Sequence, residues 1–335
     1  MPLRPLLRAP RVGGVPRPPA AGPGSTGDRR VARPGGATRH AEGSTQHDRV
    51  LCLDIETVVD AALLPPGWPE DRFPKPLWHR VVAISYVQAR IERDAEVGGS
   101  RYVVEACRSG GEAGWDEERL LRGFWAHFER HRFQVVTWNG RAFDMQVLLQ
   151  RAMLHGIATP AWHARGHGRM SYGQRYADWH VDLMDVISGY GASARLGLDE
   201  TCAALGLPGK PGTSGADVAD LVAAGDLGRV RDYCESDALN TYALFLRHAF
   251  AAGRIGASPH DDAIDDLAGY LATERGERPH LGSFLDAWRQ SRVPSAMYVS
   301  HARRAGGRKV SPAAPGVSHP GSPFRDVFSA PPTGG

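Results

Sequence analysis

The stretch Val50-Leu51-Cys52-Leu53-Asp54-Ile55-Glu56-Thr57 decides how the rest of the 335-residue chain is read. It reads as a β-strand. Side chains alternate along a strand, so Leu51, Leu53 and Ile55 share one face while Asp54 and Glu56 project together from the other. Two carboxylates side by side at the end of an apolar strand repel each other, and desolvation pushes at least one of them towards protonation. A divalent cation relieves that repulsion. A strand running out into a solvated acidic turn is the plainer alternative, and the pair taken alone leaves both open.

Outward from this strand, the composition sets the frame. With 42% hydrophobic residues the chain suits a globular protein with a sizeable core, and no apolar run approaches the length of a membrane span. Its four cysteines, Cys52, Cys107, Cys202 and Cys234, are scattered without a Cys-x-x-Cys pair, which points to a reducing cytoplasm rather than a disulfide framework or a zinc site. The net charge of +3 is unevenly spread. Nine basic residues face three acidic ones in 1–49, five face one in 300–335, and the middle carries 26 against 33. An acidic centre that handles a polyanion needs cations at its working site, whereas basic flanks can hold a polyanion nonspecifically.

Residues 1–48 are dense in Pro, Gly, Arg and Ala, lack apolar periodicity, and read as a disordered basic segment. The opening Met1-Pro2-Leu3-Arg4-Pro5-Leu6-Leu7-Arg8 has the arginine bias of a transit peptide, but its prolines spoil an amphipathic helix. Residues 49–256 read as the main domain, 257–299 as a helical extension and 300–335 as a second disordered basic tail. Within the domain, strands are expected at Arg80–Val87, Arg101–Ala106, Phe133–Trp138 and Trp179–Ile187, with the first two joined antiparallel through a short connection. Helices are expected at Asp116–His131, Ala142–Gly156, Leu198–Leu205 and Ala216–Ala224, and a long one capped by Asp226 runs to Ala252. Two more, Ala263–Thr273 and His280–Arg289, follow in the extension. Leu64–Pro69 and Trp162–Ala177 read as loops. In the latter, His163 and His167 are spaced for a metal on a helix, but Gly166 and Gly168 argue against one. Gly209-Lys210-Pro211-Gly212-Thr213-Ser214-Gly215 is a connector and not a phosphate loop, because its lysine comes first and Pro211 interrupts it.

Two further acidic positions accompany Asp54 and Glu56. Asp144 follows the turn Asn139-Gly140-Arg141-Ala142-Phe143 at the start of a helix, where the helix dipole alone would also favour it. Tyr233 and Asp237 are four residues apart on the long helix and so share a face, with Asn240 and Leu244 continuing the stripe. A strand with Asp-x-Glu, a strand-turn-helix with Asn-x3-Phe-Asp and a helix with Tyr-x3-Asp, in this order, resemble the three motifs of the DEDD superfamily of 3′ to 5′ exonucleases in its tyrosine-bearing branch. The resemblance covers residues 49–252. His79-Arg80-Val81-Val82-Ala83-Ile84-Ser85, Asp182-Leu183-Met184-Asp185 and Gly209-Lys210-Pro211-Gly212 look most like stand-alone bacterial proteins related to the proofreading domain of family B DNA polymerases.

The resemblance implies an α/β fold of the ribonuclease H-like type, with a mixed five-stranded sheet flanked by helices. It implies two divalent ions, Mg²⁺ or Mn²⁺, held by Asp54, Glu56, Asp144 and Asp237, with Asp54 bridging both and Tyr233 orienting the attacking water. Asn139 and Phe143 would contact the terminal nucleotide; core packing is the other reading of Phe143. Phosphodiester hydrolysis adds negative charge to an anionic group, so four carboxylates facing the substrate require such ions, and hard oxygen ligands suit them. The implied partner is a nucleic acid with a free 3′ end, expected to be single-stranded DNA in repair or end trimming. An exoribonuclease of the same motif set is the close rival, separated by comparing DNA with RNA oligonucleotides. A catalytically silent nucleic-acid-binding module is the more distant one, separated by binding without nucleotide release.

Overall fold

The computed structural model describes residues 47–69, 71–94, 99–167, 169–209, 217–293, 295–300 and 303. The segments expected to be disordered lie almost wholly outside these residues, as does the glycine-rich connector from Lys210 onward. In chain order the first elements are β1 (Arg49–Val59), β2 (His79–Asp94), β3 (Gly99–Ser109), α1 (Glu117–Arg130), β4 (Phe133–Thr137) and α2 (Asp144–Leu154). Next come α3 (Pro160–Ala164), β5 (Gly166–His167), β6 (Met170–Ser171), β7 (His180–Asp182) and α4 (Leu183–Ile187). The chain continues through α5 (Leu198–Leu205), α6 (Val218–Ala223), α7 (Leu227–Ala251), α8 (Ala257–Glu274) and α9 (Pro279–Arg289).

The acid-bearing β1 occupies the middle of a five-stranded sheet of order β3-β2-β1-β4-β7. It pairs antiparallel with β2 and parallel with β4, while β7 continues the parallel side and β3 the antiparallel side. This mixed α/β sheet is the ribonuclease H-like arrangement expected from the sequence. The period-two reading of β1 holds: Leu51, Leu53 and Ile55 pack with Phe124, Phe128 and Leu148 of α1 and α2, whereas Val50 and Cys52 pack with Leu239, Tyr242 and Phe245 of α7. Asp54 and Glu56 therefore share the face that α7 covers. Opposite Glu56 and Thr57 the register with β2 shifts by one residue, so β2 carries a bulge beside the acids.

Two expectations are corrected. Trp179–Ile187 is not one strand: β7 ends at Asp182 and α4 begins at Leu183, because the Asp182 side chain accepts the Asp185 amide at 3.3 Å and caps a helix there. Trp162–Ala177 is not plain loop. It holds the end of the short helix α3 and the β5–β6 hairpin, drawn onto the core by Trp162 and Tyr172, whose rings stack 4.9 Å apart.

The extension helix α8 and the long helix α7 cover the outer edge of β3. Its Val104 amide donates to Asp266 of α8 (2.6 Å), its Cys107 amide to the Tyr270 hydroxyl (3.0 Å) and its Ser109 amide to Glu235 of α7 (2.7 Å). No helix among the described residues is long and apolar enough to cross a membrane.

Candidate active site

The site is built where β1, the β4–α2 turn and α7 meet. On β1, Asp54 is half-buried and Glu56 is buried. Asp144 opens α2 and is buried. On α7, Tyr233 and Asp237 are both buried, one turn apart. Tyr233 belongs to a small apolar cluster with Ala83, Val218 and Val230.

Electrostatics show that the four acids converge. Burial, then the charges of Asp237, Asp144 and Glu56, push Asp54 well above the usual carboxylate range, and a hydrogen bond from Cys234 draws it partly back. Asp144 is pushed up to about 7, chiefly by burial, with Asp182 and Asp237 adding to the rise and the Ile55 amide opposing it. Carboxylates from three elements whose charges together raise Asp54 form a site that a cation stabilises.

Cys234 lies within this set and was not singled out by the sequence. Its thiol donates to the Asp54 carboxylate and to the Asp54 carbonyl, both at 3.4 Å. Burial and the neighbouring carboxylates hold that thiol well above its ordinary pKa, so it stays protonated. Ligand atoms of Asp54, Glu56 and Cys234 lie within 4.8 Å of one another. With the thiol neutral, the available donors are carboxylate oxygens, which fit a hard divalent ion such as Mg²⁺ or Mn²⁺. A second group of this kind, Asp232, Glu235 and His280, is differently made. Glu235 accepts from Ser109, His280 (2.8 Å) and Arg278, so protein cations already answer it.

The β4–α2 turn delivers Asp144 and the two expected nucleotide contacts. Asn139 has φ +62°, a left-handed conformation that asparagine adopts more readily than most residues. Its carbonyl accepts the amides of Ala142 and Phe143, both at 3.1 Å. At Gly140 an added Cβ would lie 2.5 Å from the Thr137 Cβ, so the turn closes only without a side chain there. Asp182 at the end of β7 then binds the turn from below, accepting the amides of Asn139 (3.0 Å) and Arg141 (2.9 Å). Phe143 is half-buried and its ring meets His79 edge-on at 5.0 Å.

All of the expected acids come together, with Tyr233 on the same helix face as Asp237. Asn240 does not continue that stripe into the site: its amide group clasps Gly209, accepting from the Gly209 amide at 3.3 Å and donating to its carbonyl at 3.0 Å. Asp182 is the supporting residue that the sequence offered without a role, although its spacing to Asp185 carries the signature of a helix cap.

A family model described as a predicted 3′ to 5′ exonuclease related to the exonuclease domain of PolB matches residues 71–288. The chain belongs to that family. The matched stretch holds Asp144, Tyr233 and Asp237 and begins after β1, so Asp54 and Glu56 precede it. Among solved structures, the family B DNA polymerase from the hyperthermophilic archaeon Pyrobaculum calidifontis is 19% identical with a TM-score of 0.39. That similarity covers 71% of this chain and 30% of the polymerase, so the chain spans under a third of the polymerase's length. No curated protein matches the chain.

Proposed function

We propose that the chain is a metal-dependent 3′ to 5′ exonuclease of the tyrosine-bearing DEDD branch, releasing nucleoside 5′-monophosphates from single-stranded DNA ends in the cytoplasm. The observation that carries this reading is the convergence of carboxylates from three elements on Asp54. Family membership supplies the activity class, and four buried free cysteines suit a reducing compartment.

Asp54, Glu56, Asp144 and Asp237 would hold two divalent ions. When bound, such ions supply Lewis acidity to the attacking water and to the leaving oxygen and offset the four negative charges. The chain's own residues do the rest. Tyr233 orients the attacking water by hydrogen bonding, because a phenol with an ordinary pKa of about 10 is a poor base at neutral pH. Phe143 and Asn139 contact the terminal nucleotide, and Asp182 holds the turn on which both stand. Cys234 donates to Asp54 and limits its rotation.

The test is mononucleotide release from matched DNA and RNA oligonucleotides with Mg²⁺ and with Mn²⁺. Wild type should release nucleotides from DNA, Asp54→Ala and Asp237→Ala should abolish release while folding normally, and Tyr233→Phe should slow it strongly with metal affinity retained. Undiminished release by both aspartate variants would overturn the site assignment. Release from RNA alone would replace the substrate, and binding without any release would leave a silent module.

A further inference from the structure

The excursion between β1 and β2 carries a group of aromatic rings that the proposed chemistry does not use. Phe73 is 71% exposed. Its ring nonetheless has a fixed place, stacked on His79 with centroids 5.0 Å apart at 28° and tilted against Phe143 at 5.7 Å. His79 is itself fixed at both nitrogens. The Pro74 carbonyl can only accept, so Nε2 carries the hydrogen it offers at 3.2 Å, and Nδ1 takes the Thr57 hydroxyl at 3.1 Å. Burial lowers the His79 pKa, which keeps the ring neutral. Thr57 follows Glu56 and Phe143 precedes Asp144, so the stack begins at the acid cluster and ends in solvent.

The base of the excursion is rigid. Buried Arg151 of α2 binds Asp60 at 2.9 Å and the Leu77 carbonyl at 3.1 Å, and the Asp60 amide donates to the Trp78 carbonyl at 2.7 Å. Exposed cations flank Phe73 in the sequence. Arg72 lies over Trp68 and Lys75 over Trp78, 4.8 and 5.4 Å from the ring centroids. Among the described residues neither forms an ion pair with a carboxylate. An apolar ring left in water contributes little to the fold, whereas a preorganised flat ring on a segment that also carries exposed cations suits the base and phosphates of a single strand.

We propose that Phe73 and Phe143 form a base-stacking platform for the 3′-terminal segment of a single-stranded nucleic acid, with Arg72 and Lys75 receiving its phosphates. This deepens the exonuclease reading and rests on it for the identity of the strand. Phe73 takes a base beside the one held at Phe143, and the His79 ring fixes both, stacked on Phe73 and edge-on to Phe143.

The experiment measures binding of a 5′-fluorescein-labelled dT12 oligonucleotide to the full chain by anisotropy in Ca²⁺, alongside steady-state nucleotide release in Mg²⁺. Phe73→Ala should weaken binding about 10-fold and place the loss of activity in KM rather than kcat, whereas Phe73→Trp should bind as wild type does. Arg72→Gln and Lys75→Gln should each lower the slope of log affinity against log salt by about 0.7. An oligonucleotide with abasic residues at its last three positions should bind wild type and Phe73→Ala equally, an outcome that a structural role for Phe73 does not give. Unchanged affinity and KM in Phe73→Ala, with wild type releasing nucleotides normally, would overturn the platform alone. If wild type releases nothing under either metal, the exonuclease reading fails, and the anisotropy of Phe73→Ala still decides the platform.

Discussion

Asp182 accepts the backbone amide of Asn139 at 3.0 Å, which joins the end of β7 to the turn that launches α2. The same carboxylate takes the Arg141 amide at 2.9 Å and the Asp185 amide at 3.3 Å. One side chain thus serves as acceptor for three backbone donors, one of which belongs to the strained Asn139. Asp144, the first residue of α2, is placed by this turn.

Replacing Asp182 with Ala should therefore act on the active site from a distance. Loss of the acceptor leaves buried amides unsatisfied, at about 1–3 kcal/mol of stability. Nucleotide release should fall further than the lost stability explains, because Asp144 moves with the turn. Urea unfolding and release by the folded fraction measure the two effects separately; wild-type turnover in that fraction would contradict the positioning role.

Gly140→Ala tests the same turn by addition. The new Cβ would meet Thr137 at 2.5 Å, and Thr137 is fully buried with its hydroxyl 2.9 Å from His180 Nε2. Overpacking of this kind costs about 1–3 kcal/mol. The expected result is a lowered Tm with reduced release, and a Tm equal to wild type would show that the turn yields.

Asp54→Asn should make the metal-free protein more stable, although it removes activity. The native carboxyl is pushed up by burial and by three neighbouring acids, so a neutral isostere relieves that repulsion. In EDTA the variant should unfold at higher urea than wild type, and added Mg²⁺ should reverse the order. A variant less stable in both conditions would show that the acids do not strain one another.

Acid sensitivity should come from two buried histidines. Burial lowers His127 to about 3 and His180 to about 3. In the unfolded chain both protonate near the ordinary value of about 6.5, so below it the unfolded state binds more protons and stability falls as pH drops from 6.5 towards 3. His127 Nε2 lies 3.0 Å from the Gln88 side-chain oxygen. His127→Gln should flatten the decline in urea midpoint between pH 6.5 and 4.5, above the range where most carboxylates titrate. An unchanged slope would assign the acid sensitivity elsewhere.

The sheet and the acids were legible because their signals are local. The alternation in β1 separates Leu51, Leu53 and Ile55 from Asp54 and Glu56, and the observed packing keeps that division. A helical period did the same for Leu120, Leu121, Phe124 and Phe128 of α1. What was misread depended on single contacts. Leu183–Ile187 is a short apolar run that suits a strand or a helix, and the Asp182 cap decides between them. Trp162 and Tyr172 order a segment rich in glycine only because their rings find the α1 core, a contact between parts of the chain far apart in sequence. The roles of Cys234 and Asp182 were hidden for the same reason: each acts on a residue that only the folded chain brings near.

The side chains that receive the amides of Val104, Cys107 and Ser109 bear on how the molecule behaves in a crowd. An outer strand with free amides is a template on which another chain can pair and start a fibre. Here Asp266, Tyr270 and Glu235 occupy those positions, and Arg278 takes the Cys107 carbonyl at 2.5 Å. Helices α7 and α8 therefore close that edge to pairing with another chain.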